Sequence, residues 1–197
     1  MASKLADILH KNHYELSSLQ GKSRAWFQAQ ARKMQDIRAI RAESLIRGDA
    51  DKKTNRILPG TMVMFAYDPK FKETLPYYDT FPLCLPFRVV PGGFYGINLH
   101  YLPYEIRAQL LDRLMEFKNT KGITDNTKLK LSWQLLDGAS KFAAIQPCVK
   151  HYLYEHVETP FKIVSPTDWA TAIMLPVERF EKQTAQQVWA RSLKQIR

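Results

Sequence analysis

The chain has 197 residues, 45% apolar and 12% aromatic, which is enough for one domain with a real core and too hydrophobic for wholesale disorder. With 29 Lys and Arg against 19 Asp and Glu, its formal charge is +10 and its pI about 9.6, which directs attention to a polyanionic partner, nucleic acid first. Cys84 and Cys148, in apolar surroundings and without a CxxC, exclude a disulfide framework or structural zinc site and predict buried free thiols in a reducing compartment. Neither a signal-peptide pattern nor an apolar run of spanning length occurs, so a soluble protein without a membrane partner is expected.

In chain order, residues 3–19 predict a short helix capped by Ser3 and broken at Gly21. Residues 23–47 predict the longest helix, with Phe27, Ala31, Met34, Ile37 and Ile40 at helical spacing and Gly48 past its end. Arg24, Arg32, Lys33, Arg38 and Arg41 occupy its other positions. GDADKKTNRILP then reads as an exposed linker. Residues 1–59 hold 12 Lys/Arg against 6 Asp/Glu, so residues 1–58 read as a basic helical arm preceding an α+β core domain, 59–197. Two readings of the arm stand side by side: a solvated helix face, or a surface for phosphates.

The stretch from Gly60 to Leu102 carries three strand-like runs, Met62 to Tyr67, Phe81 to Val90 and Phe94 to Tyr101. Pro82 and Pro86 make the second an edge or bulged strand. Pro91-Gly92-Gly93 predicts a tight hairpin reversal, the two glycines supplying positive φ. Pro103 opens a helix from Tyr104 to about Lys118, with Ile106, Leu110, Leu114 and Phe117 on one face and Arg107, Asp112, Arg113 and Glu116 on the other. A second helical run follows from about Thr127 to Ile145, and a further short helix is predicted from Cys148 to Val157. Phe161 to Val164 looks like a strand returning to the sheet. Ser165 begins a short helix burying Trp169, Ile173 and Leu175, and the chain is helical again after about Thr184. The fold class is therefore α+β: a small antiparallel sheet from about residues 60–102 plus 161–164, flanked by several helices.

No Walker or dinucleotide-binding motif occurs, and PGGFYG is a hairpin turn, so no cofactor and no small-molecule substrate is expected. His10, His13, His100, His151 and His156 form no HExxH, and a metal site is not predicted. Metal-dependent nuclease chemistry would need clustered carboxylates. Asp68, Glu73 and Asp79 are the one cluster available, and they read better as turn residues. The aromatics between Phe65 and Tyr104 either build the core of a small sheet or stack on bases, with Lys70, Lys72 and Arg88 on phosphates. Tyr77 and Tyr78, in a predicted loop, are the best candidates for exposed contact.

The strings YDPKFKETLPYYDTFPLCLPF, GGFYGINLHYLP, RAQLLDRL and MLPVERF, over about residues 59–180, resemble a family of T4-like tailed bacteriophages, the DNA end-protector or head-completion proteins. The resemblance implies a non-enzymatic virion protein that binds the ends of packaged linear double-stranded DNA, shields them from host exonuclease and helps complete the head. It also implies other virion proteins as partners, and location in the virion and then the host cytoplasm. It supplies no catalytic residues. The alternative is a structural component of the neck, tail or baseplate, in which the aromatic stretch packs on neighbouring subunits. Charge and exposure select Arg24, Arg32, Lys33, Arg38, Arg41, Lys70, Lys72 and Arg88 for phosphate contact, with Tyr77 and Tyr78 for stacking.

Overall fold

The structure, a computed structural model, describes residues 53–108, 110–111, 134, 136–138, 140–141, 145–164 and 169–196. The predicted helices 3–19 and 23–47 lie outside the described residues, as does most of the run from 112 to 144. Two sheets are present among the described residues. The larger has six strands in the order β1 (Lys53–Thr54), β7 (Phe161–Val164), β2 (Met62–Met64), β4 (Leu83–Val90), β5 (Gly93–Asn98), β6 (Val149–Leu153), every pair antiparallel. The smaller pairs β3 (Tyr78–Asp79) with β8 (Phe180–Glu181). No helix among the described residues is long and apolar enough to cross a membrane.

Alternation along the strands sends side chains into two cores. Met62, Met64, Leu83, Leu85, Phe87 and Ile97 point into one, which is closed by Leu110, Leu111, Leu136, Trp169, Ile173 and Val188 from the helical segments. Val63, Cys84, Phe94, Tyr152 and Phe161 point into the other, with Phe65 and Tyr67. This second core is an aromatic cluster: the Phe65 ring meets Phe94, Tyr152 and Phe161 edge-on with centroids 5.1–5.9 Å apart, a favoured geometry for ring quadrupoles. Both cysteines are buried and free, as their apolar neighbours predict.

Five local expectations change. The first strand stops at Met64, and Tyr67 forms only an isolated bridge to Val157. β4 is an inner strand rather than an edge, and the bulge expected from its prolines is present, a register shift between Pro86 and Arg88. At the β4–β5 turn only Gly92 takes positive φ (76°), fitting the second central position of a Pro-Gly turn. Gly93 serves closeness instead: a Cβ there would lie 2.2 Å from the Tyr152 carbonyl oxygen on β6. Finally, the helix expected from Cys148 to Val157 is the edge strand β6 set between two 3₁₀ turns, Gln146–Cys148 and Tyr154–His156. The linker expected before Pro59 contributes β1 to the sheet and buries Ile57.

Phe161–Val164 is a strand as predicted, pairing with both β1 and β2. Residues 104–108 and 110–111 are helical, Trp169–Ala172 forms a short helix with Trp169, Ile173 and Leu175 buried, and Ala185–Ile196 forms the last helix. Thr184 caps that helix: its hydroxyl accepts from the Gln187 N–H.

Candidate nucleic-acid interface

Asp79 lies at the centre of a buried polar knot. One carboxylate oxygen accepts from the backbone N–H groups of Phe81 (3.0 Å) and Arg179 (3.2 Å). The other accepts from the Asn98 amide at 2.9 Å and lies 2.7 Å from His100 Nδ1. Burial by itself would raise this carboxyl's pKa, but the His100 ring and the hydrogen bonds from His100, Asn98 and Phe81 outweigh it and hold Asp79 below the usual carboxylate range. Asn98 also accepts from the His100 N–H and so turns the chain out of β5 into the 3₁₀ turn Leu99–Tyr101.

Arg107, expected on the outer face of its helix, is fully buried. Its guanidinium donates to the carbonyls of Leu102 (2.7 Å), His100 (3.1 Å) and Ile173 (3.2 Å) and lies 3.7 Å from Glu178. Tyr104 and Trp189 cover its faces at 4.6 and 5.4 Å, and Trp189 Nε1 donates to the His100 carbonyl as well. Asp79 and Arg107 together tie β3, β5, β8 and three helical segments into one frame.

Against this frame opens a cleft of about 310 Å³, bounded by the loop from Tyr67 to Asp79, Tyr101 and the edge strand β6. Its walls are aromatic: Tyr77, Tyr78, Tyr101 and Tyr152, with Phe71, 63% exposed, at the mouth. Tyr101 and Tyr152 are buried, and burial raises both their phenols well above the ordinary value, so they stay neutral rings. Lys150 projects into this setting from β6, its Nζ 4.0 Å from the Tyr101 ring centroid. No carboxylate among the described residues pairs with it, and burial pushes its pKa down. The loop that forms the other wall is pinned by Lys182, whose ammonium donates to the carbonyls of Lys72 (2.6 Å), Glu73 (3.0 Å) and Leu75 (3.0 Å).

The residues selected from sequence divide accordingly. Arg24, Arg32, Lys33, Arg38 and Arg41 lie outside the described residues. Lys70, Tyr77 and Tyr78 line the cleft, although both tyrosines are half-buried, Tyr77 against the core and under Arg191 (5.6 Å), Tyr78 near Lys182 (5.9 Å). Lys72 is bound to Asp68 at 2.9 Å, a pairing that raises its pKa. Arg88 is 2.6 Å from Asp137, which also takes Lys141 at 3.3 Å, and it does not border the cleft. Asp68, Glu73 and Asp79 do not converge: Asp79 is saturated by the knot and Asp68 by Lys72. Among the described residues no group of three His, Cys, Asp or Glu is placed to hold a metal ion.

Sequence reasoning missed Lys150 and the buried role of Arg107. One signal for Lys150 was present: it stands in CVKHYLY, an apolar-aromatic run with no acidic neighbour before Glu155.

Residues 8–192 match the family model described as phage T4 terminal DNA protecting protein. No curated protein and no protein of solved structure matches the chain.

Proposed function

From the premise that this chain belongs to the phage T4 terminal DNA protecting protein family, we propose that it is a non-enzymatic virion protein that binds the ends of packaged linear double-stranded DNA. In this reading it shields those ends from host exonuclease on injection and takes part in completing the head beside other virion proteins, passing from the virion to the host cytoplasm. The observation that carries it is the match over residues 8–192, nearly the whole chain. The charge of +10 supports it physically, because phosphate contact binds DNA without reading sequence and weakens steeply with salt.

Two surfaces would share the work. The arm, through Arg24, Arg32, Lys33, Arg38 and Arg41, supplies sequence-independent attraction, and the cleft with Lys70, Tyr77 and Tyr78 supplies preference for an end. Lys72 and Arg88 contribute less than their charge suggests, since Asp68 and Asp137 already hold them. Digestion of linear DNA by a processive exonuclease, with and without the protein at low salt, tests the reading directly. Protection is expected, and equal degradation overturns it. Charge reversal at Arg38 and Arg41 is expected to weaken DNA binding and flatten its salt dependence. An unchanged slope assigns the arm to protein contact. Absence of any gel shift, with stoichiometric recovery in purified tails, would move the function to tail structure.

A further inference from the structure

The cations around the cleft are not equivalent. Lys72 is neutralised by Asp68, Lys182 is engaged by three carbonyls, and Arg191 lies over the Tyr77 ring. Those three stand around the cleft; the two lysines that line it, Lys150 and Lys70, have neither a carboxylate nor a carbonyl partner among the described residues. The acid on the cleft wall, Asp79, has both oxygens occupied by donors of the protein itself. The Tyr101 face attracts a half-buried ammonium but only partly replaces its lost hydration, and an incoming anion supplies the rest. The half-buried rings of Tyr77 and Tyr78 on its wall suit a flat π-system, and about 310 Å³ is the lower end of small-ligand pockets, room for one nucleotide and not for a duplex.

We propose that this cleft receives a single unpaired deoxynucleotide at a DNA terminus, its phosphate on Lys150 and Lys70 and its base against the rings of Tyr77 and Tyr78. The inference rests on the end-binding function and adds how an end is told from the interior. A terminal base pair frays at small cost, whereas an interior base must be unstacked on both sides. Every base has a π-face, so such a cleft reads the end while ignoring its sequence. Phe71 at the mouth then abuts the last intact pair.

The test uses the full chain and two DNAs of one sequence, a blunt linear duplex and its covalently closed minicircle, compared by fluorescence anisotropy. Wild-type protein is expected to prefer the linear form. Lys150→Met should lower that preference about tenfold or to unity, since it removes the charge that holds the terminal phosphate, while minicircle binding stays within about twofold. Lys150→Arg should restore part of it, and Phe71→Ala, which removes a side chain 63% exposed, should lower it several-fold with the fold retained. Photocrosslinking from 5-iododeoxyuridine at the terminal nucleotide should label the peptide bearing Tyr77 and Tyr78, and an interior label should not. An end preference that survives Lys150→Met, or cleft crosslinks from the interior position, overturns the cleft and leaves end protection standing. Equal wild-type affinity for the two DNAs overturns both. Saturation of the cleft by free deoxyadenosine monophosphate as tightly as by a DNA end reassigns it to a small-molecule site and overturns the proposal.

Discussion

The polar knot and the cleft share a wall, and they treat buried charge in opposite ways. In the knot the two central charges are answered: four donors approach Asp79, and three carbonyls and Glu178 surround Arg107, although His100 Nε2 and Glu178 Oε2 at its edge are buried without a hydrogen bond among the described residues. In the cleft Lys150 has an aromatic face and no anion among the described residues. Polar groups satisfied within the protein fix its shape, while one left open is a claim on something outside it. The difference separates residues that hold the site from a residue that uses it.

The contrast can be broken at several points. Arg107→Met should cost the most stability, about 3–5 kcal/mol in urea denaturation, because it leaves buried carbonyls and Glu178 without their donor. Protein that remains folded should keep its preference for linear DNA. Asp79→Asn should cost about 2–4 kcal/mol at neutral pH, since an amide cannot accept from every donor now facing that carboxylate. Its effect also has a pH signature. With the folded pKa depressed, the stabilisation is present above the ordinary carboxylate value of about 3.9 and is lost as pH falls through the folded value. The gap between wild type and Asp79→Asn in denaturation midpoint should therefore narrow between about pH 5 and pH 2.

Lys150→Met should do the reverse of both. Stability is expected to be unchanged or raised by about 1 kcal/mol at neutral pH, because a half-buried cation without an anion among the described residues gives way to a side chain of similar volume. The sign with pH is also reversed. Between the lowered folded pKa and the ordinary value of about 10.4 the unfolded chain binds more protons, so wild type gains on the variant as pH rises through that window. Loss of stability as large as that of Arg107→Met would mean that Lys150 belongs to the frame. The functional ranking should be inverted, with Lys150→Met the most damaging of the three to end recognition.

Much of the sheet was legible because its signals are local. Pro91-Gly92 sets a turn by its own backbone preferences, and Phe161 to Val164 is too short and too β-branched for a helix. β6 was misread for a physical reason: its five residues are flanked by two 3₁₀ turns, and their i,i+3 spacing imitates a helix. Arg107 was misread because helical periodicity gives the direction of a Cβ, while a long guanidinium stem reaches carbonyls up to 66 residues away. For the site, residue type singled out Lys70, Tyr77 and Tyr78 for contact with DNA, and the three border one cleft. Which lysine lacks a counter-ion is a property of packing. Lys72 beside Asp68 and Lys150 beside Tyr101 look alike until the chain is folded.

Lys182 has a consequence for the order in which the molecule comes together. Its ammonium bridges 107 to 110 positions of chain to fix the carbonyls of Lys72, Glu73 and Leu75, and it does so at a left-handed backbone, φ 68°. The β4–β5 hairpin needs only its own turn and can form early. The loop wall of the cleft closes across the longest of these separations, after β8 has met β3, so it belongs to the late, high-contact-order part of folding. A nascent or partly folded chain therefore carries the basic charge long before it carries the cleft, and in that interval it would hold DNA anywhere along its length rather than at an end.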